Sequence, residues 1–229
     1  MNALSKYWNI WRINPANERL RYQCSVVPTA QDFIENQVLN STTEGTGSSP
    51  PHSTSPTPQT LLFSQFRAAN IAIAPTTRAQ AGLCLRCYVS APILKACQKI
   101  ASLFAGGNAF TYQDLLPFVL NDDGKTLVIL DNDDKTQWIL DTNGNSQPTA
   151  FKRFAVEVLR TYKATGSSNM SLDNWAYLQT KQNPELKGFL SEFGFQQLSG
   201  WALLNRVRRN QLERLSECDR HLVEVFHAV

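Results

Sequence analysis

The sequence predicts a mainly α-helical protein: a helical bundle with one small β-hairpin and a flexible Ser/Pro/Thr-rich linker near the N-terminus. Three observations predict it. From Thr76 onward, apolar residues recur mostly at three- and four-residue spacing. Only across residues 121–145 does the period fall to two. Residues 41–59 hold almost nothing that can enter a core, so that stretch cannot offset the entropy of ordering it.

The elements follow in order. Asp32–Leu39 reads as a short helix that packs against the body of the protein. Thr76 or Thr77 caps a segment running through Ala81, Leu83, Leu85 and Tyr88. Ser90 caps a second one, with Ile93, Leu94, Cys97, Ile100 and Leu103 on one face, and Gly106-Gly107 ends it. Thr111 and Asp114 form a near capping box for a third, short helix, which Pro117 should kink or stop early. Asn121–Gly124 is a turn, Lys125–Leu130 a strand, Asp131–Asp134 a turn and Thr136–Leu140 a second strand, closed by Asn143-Gly144. After three helices, this hairpin reads either as the wing of a winged-helix unit or as a plain structural hairpin.

Phe151–Tyr162 is the next helix, with Phe151, Phe154, Val158 and Leu159 on its apolar face. A polar loop, Ala164–Asn169, leads to the helix holding Trp175. Pro184 ends that helix or starts another, because it lacks a donor. Glu185–Phe193 is a short helix stopped by Gly194, and Trp201–Leu204 and Gln211–Leu215 give further short ones. Ser216 caps the last, with Leu222, Val223 and Phe226 on its apolar side; the pattern then stops without a C-cap, as expected of a piece of a longer protein. The expected organisation is an N-terminal extension (1–40), a disordered linker (41–60), a helical subdomain with the hairpin (61–149) and a second helical domain (150–229).

Composition narrows the function classes. At 229 residues, with 42% hydrophobic and 18% charged residues, the chain can bury a core. No apolar run approaches the roughly 20 residues that cross a bilayer, so no membrane partner is expected. Met1–Arg21 lacks the apolar stretch of a secretory signal. Five cysteines in no framework spacing fit reduced thiols and a cytoplasmic location. Residues 1–149 carry 11 basic and 11 acidic side chains, and residues 150–229 carry 11 and 8, so the net charge of +3 lies in the last third. Arg206, Arg208, Arg209 and Arg214 concentrate it. Such a footprint suits a polyanion, and equally a solvated helix face.

Within that third, Ser171–Asn183 carries the chemistry. Trp175 and Tyr177 offer π-faces to unstacked bases, while Thr180, Lys181 and Asn183 can face phosphate. The competing reading makes both aromatics ordinary core residues. Cys84-x-x-Cys87 and Cys218-x-x-His221 have the spacing of zinc ligands, but the first pair falls inside a helix and the two lie far apart in sequence, so no metal is expected. Asp131–Asp134 lacks the glycine and terminal glutamate of a calcium loop. With three histidines, one of them in the linker, and no glycine-rich phosphate loop, neither an enzyme nor a cofactor is expected.

Phe151–Tyr162, Gly166 in the following loop, and Ser171-Leu172-x-x-Trp175-Ala176-Tyr177-x-x-Thr180-x-x-Asn183 together resemble region 2 of sigma-70 family RNA polymerase sigma factors. Leu198–Leu204 and Phe110–Pro117 resemble segments of divergent cyanobacterial sigma-like proteins. The resemblance spans about residues 76–229, and its specific motif only 151–183. It implies a non-catalytic transcription initiation factor whose partners are core RNA polymerase and promoter DNA. It also implies that Arg153, Glu157 and Arg160 meet the polymerase clamp, while Trp175, Tyr177, Thr180, Lys181 and Asn183, with the Arg206, Arg208 and Arg209 cluster beyond them, face DNA. The acidic-Asp-Leu-x-Gln pattern of the family's clamp contact is missing, as is a complete C-terminal helix-turn-helix. A helical interaction or scaffold protein is the alternative.

Overall fold

The helix expected to break at Ser90 runs on unbroken. The computed structural model describes residues 4–14, 16, 22–43, 57–67, 73–103, 110–131, 133, 135–141, 143–163, 170–193, 205, 207 and 209–227. Its helix α3 spans Pro75–Leu103 with Pro92 inside. Ser90, buried, donates its hydroxyl to the Cys87 carbonyl at 2.6 Å and accepts the Trp11 amide at 2.9 Å. It therefore bonds within the helix and across to a neighbouring strand, and caps nothing. Proline at 92 removes only one helical hydrogen bond, while seventeen buried residues of the helix hold the turn together.

Those residues make α3 the axis of the first of two compact units, Met1–Leu186; the second is Lys187–Val229. Around α3 pack α1 (Pro28–Thr43), α2 (Pro58–Phe66), α4 (Tyr112–Val119), α5 (Phe154–Thr161) and α6 (Leu172–Gln182), together with strands β1 (Asn9–Ile13) and β3 (Leu127–Leu130). The boundary expected at residue 150 thus falls inside one unit. The N-terminal piece belongs to the same unit. Beyond α1 it holds a 3-10 turn (Ser5–Tyr7) and a second antiparallel pair, β1 with β2 (Tyr22–Val26), in the register Trp11↔Cys24. The linker expected over 41–60 is trimmed by α1 and by α2, whose N-cap Thr57 accepts the Thr60 amide at 3.3 Å; residues 44–56 lie outside the described residues.

The expected hairpin is present as β3 and β4 (Gln137–Leu140), paired Leu127↔Leu140, and gains a third strand, β5 (Ser146–Pro148). Mainly α therefore holds, with two small sheets in place of one hairpin. Its turn at 121–126 is a junction. Arg86 of α3, fully buried, meets Asp122 through two bonds of 2.5 and 2.7 Å and the Thr126 carbonyl at 2.8 Å. Arg12 of β1 reaches the Asp123 carbonyl at 3.2 Å. Gly124 adopts φ +67° with Ile10 pressed against it, a conformation that favours glycine. The Thr111 amide donates to the Asp114 carboxylate at 2.8 Å, as a capping box requires.

The second unit contains α8 (Arg209–Leu212) and α9 (Glu217–His227). Ser216 caps α9 by accepting the Asp219 amide at 3.2 Å, as expected. Its expected apolar side is split: Val223 is buried, but Leu222 is 63% exposed. Trp201–Leu204, Gly194, Gly106-Gly107 and the loop 164–169 lie outside the described residues. No described helix is long and apolar enough to cross a membrane.

Candidate nucleic-acid interface

Helix α5 starts three residues later than expected, and this changes what its charges do. Arg153 becomes the N-cap residue and turns inward. Its amide donates to Gln137 Oε1 at 3.0 Å, and its carbonyl accepts from Gln137 Nε2 at 3.1 Å. The buried guanidinium pairs with Asp123 at 3.2 Å and lies over the Phe151 ring at 5.3 Å. Arg153 is thus removed from the expected polymerase-contact set. Phe151, expected in the core, is 53% exposed. Burial acts to raise the Asp123 carboxyl, but bonds from the Thr126 hydroxyl, the Lys125 and Thr126 amides, and the Arg153 charge outweigh it and hold the group well below the usual carboxylate range.

Glu157 and Arg160 stay at the surface in part. Glu157 accepts from Gln137 at 2.8 Å and pairs with Arg160, Nη2 to Oε2, at 2.8 Å. They line a cleft of about 730 Å³ with Lys152, Gln179, Gln182 and Asn183. Arg67 closes the far end of α5, donating to the carbonyls of Leu159 at 2.6 Å, Arg160 at 3.1 Å and Tyr162.

Helix α6 opens at Ser171, which accepts the Asn174 amide at 3.3 Å. Leu172, Ala176 and Thr180 form its buried stripe. The Thr180 hydroxyl donates to the Ala176 carbonyl at 2.8 Å, and the buried Asn183 caps α7 (Pro184–Glu192) by accepting the Leu186 amide at 2.8 Å. Thr180 is thus committed to the fold, and Asn183 uses its side-chain carbonyl oxygen for the helix cap at the margin of the cleft. A second tie holds α6 to α3: the Tyr88 hydroxyl donates to Asp173 at 2.5 Å. Tyr177 is half-buried, and Lys181 stands 5.8 Å from its ring centroid.

Trp175 falls between the two readings of it. The side chain is half-buried, and its indole N–H donates to the Val158 carbonyl at 3.1 Å and the Thr161 hydroxyl at 3.3 Å. It also lines a pocket of about 220 Å³ with Thr161, Tyr162, Lys163 and Met170. Lys163 and Tyr162 were missed from sequence, although a cation one residue past the end of an aromatic-rich helix was a legible signal. Among the described members of the expected DNA-facing set, Trp175, Tyr177 and Lys181 keep part of their surface open, and Thr180 is fully buried. Arg206, Arg208 and the side chain of Arg209 lie outside the described residues.

The cysteine pairs fall in different units. Cys84 and Cys87 are buried in α3 and Cys84 donates to the Ala30 carbonyl at 3.5 Å, whereas Cys218 and His221 belong to the other unit. Burial pushes the Cys84 thiol up to about 12 and Cys87 well above its ordinary value, which disfavours the thiolate a metal needs. Among the described residues, no group of three or more His, Cys, Asp or Glu side chains is placed to hold a metal ion.

Comparison with known proteins finds no matching family model, no matching curated protein and no matching solved structure.

Proposed function

We propose that the chain is a sigma-like transcription initiation factor without covalent chemistry of its own, which holds an unpaired base of promoter DNA beside Trp175 and docks on core RNA polymerase through the Glu157–Arg160 rim of the larger cleft. One observation carries the reading: a Trp ring fixed by two hydrogen bonds through its N–H still lines an open pocket, next to a lysine. The pocket of about 220 Å³ suits one planar heterocycle better than a folded partner. A fixed ring loses little freedom on stacking, which is worth about 1–3 kcal/mol per base. Lys163 and Lys181 supply phosphate contacts. A cytoplasmic location belongs to this reading.

A second reading, a helical interaction or scaffold protein, draws on the inward turn of Arg153, Thr180 and Asn183. Single-stranded promoter oligonucleotides separate the two. Trp175→Ala combined with Lys163→Ala should weaken binding at least about tenfold, the loss of one stacking contact, and flatten its salt dependence. Trp175→Phe should retain most of it. A parent protein that binds neither the oligonucleotide nor core RNA polymerase in a pull-down would refute the first reading. Polymerase capture that survives Arg160→Glu would remove the cleft from it.

A further inference from the structure

Strand β2 is one edge of a two-stranded sheet, and among the described residues no strand pairs with its outer side. Val27 donates to the Trp8 carbonyl at 2.7 Å, and the Trp11 amide points away from β2 to Ser90 at 2.9 Å. In antiparallel alternation these two bonds make Trp11↔Cys24 a non-hydrogen-bonded pair. The backbone N–H and C=O groups of Tyr22, Cys24 and Val26 therefore point outward from the sheet. The five residues Tyr-Gln-Cys-Ser-Val include no charge and no proline.

The same alternation sets the faces. Ile10, almost fully buried, looks inward, while Trp11, Ile13, Tyr22, Cys24 and Val26 share the outer face, with Asn9 as its one polar residue in the two strands. Cys24 is exposed and Val26 is 55% exposed. Trp11 and Tyr22 pack at 5.7 Å, and Tyr112 of α4 extends the cluster edge-on at 5.9 Å from Tyr22. An apolar outer face beside an open edge is what a sheet shows when a further strand completes it.

We propose that this edge pairs with a second copy of the chain, β2 against β2, antiparallel about a two-fold axis through Cys24. The strand suits itself. It is five residues long with Cys24 at its centre, so Tyr22 of each copy falls opposite Val26 of the other, an aromatic–β-branched pair. Being uncharged, it sets no like charges against each other across the axis. The two Cys24 residues become a hydrogen-bonded pair with Cα atoms about 5.5 Å apart, within disulfide range.

Light scattering after gel filtration, in reducing buffer at high micromolar concentration, tests it. The 25.7 kDa chain should run at about twice that mass. Cys24→Lys should give a monomer with unchanged circular dichroism, and Val26→Lys should repeat the result should the first variant misfold. Cys24→Ser should remain dimeric, since the backbone edge is intact. With Cys218→Ser in the background, a thiol oxidant should cross-link the dimer through Cys24. A monomeric parent overturns the proposal, as does a dimer that persists in both lysine variants.

Discussion

The turn at 121–126 and the α5–α6 face both concentrate charge, and they use it in opposite ways. In the turn, Arg86 and Arg153 are buried and matched to Asp122 and Asp123. Their hydrogen bonds tie α3 and the start of α5 to one loop, and Arg12 adds β1. On the α5–α6 face, Arg160, Lys163 and Lys181 keep part of their surface toward solvent and border open space or an aromatic ring. A buried cation is committed to the fold because leaving its partner unpaired is expensive, whereas a surface cation costs little and stays available to a ligand. Arg153 and Arg160, seven residues apart on what reads as one helix, fall on opposite sides of that divide.

The contrast can be broken most forcefully at Arg86. Arg86→Leu strands the Asp122 carboxylate in the interior and should cost about 3–5 kcal/mol in urea unfolding. A loss below about 1 kcal/mol would mean that the pair is not structural. Acid unfolding sharpens the comparison further. Because the Asp123 carboxyl is held below its unfolded value, its stabilisation is complete above about pH 4 and drains away as the pH falls through the folded value. Asp123→Asn should therefore lower stability at neutral pH and flatten the decline in acid; an unchanged acid limb would contradict that. The smallest effect belongs to the face. Trp175→Phe loses the indole donor to Val158 and Thr161, costs about 1 kcal/mol and leaves helix content unaltered by circular dichroism.

What was legible in the chain was local. Ser216 and the Thr111–Asp114 box start their helices where the capping pattern says, and the 127–140 strands pair as the period-two stretch implies. Tertiary context overrode the rest. Ser90 carries a cap signal, yet burial beneath β1 gave its hydroxyl other partners. The β1–β2 pair is not legible because the eight residues 14–21 between its strands lack the two-residue Asn-Gly or Asp-Gly turn that marks a tight hairpin. At the site, polarity and the family resemblance both point Thr180 and Asn183 outward. Leu172, Ala176, Thr180 and Asn183 follow a four-four-three spacing that places them on one helix face, and that face is the buried one. Periodicity outranked polarity there.

Arg67 has a practical consequence for anyone dissecting the molecule. Its guanidinium supplies the donors that three carbonyls at the end of α5 would otherwise lack, and it does so from 92 or more positions earlier in the chain. A peptide cut out at residue 150 would carry α5 and α6 whole but not the residue that finishes the first of them. Minimal fragments designed around the motif should fray at that end, so assays of the isolated segment would understate what the intact chain can do.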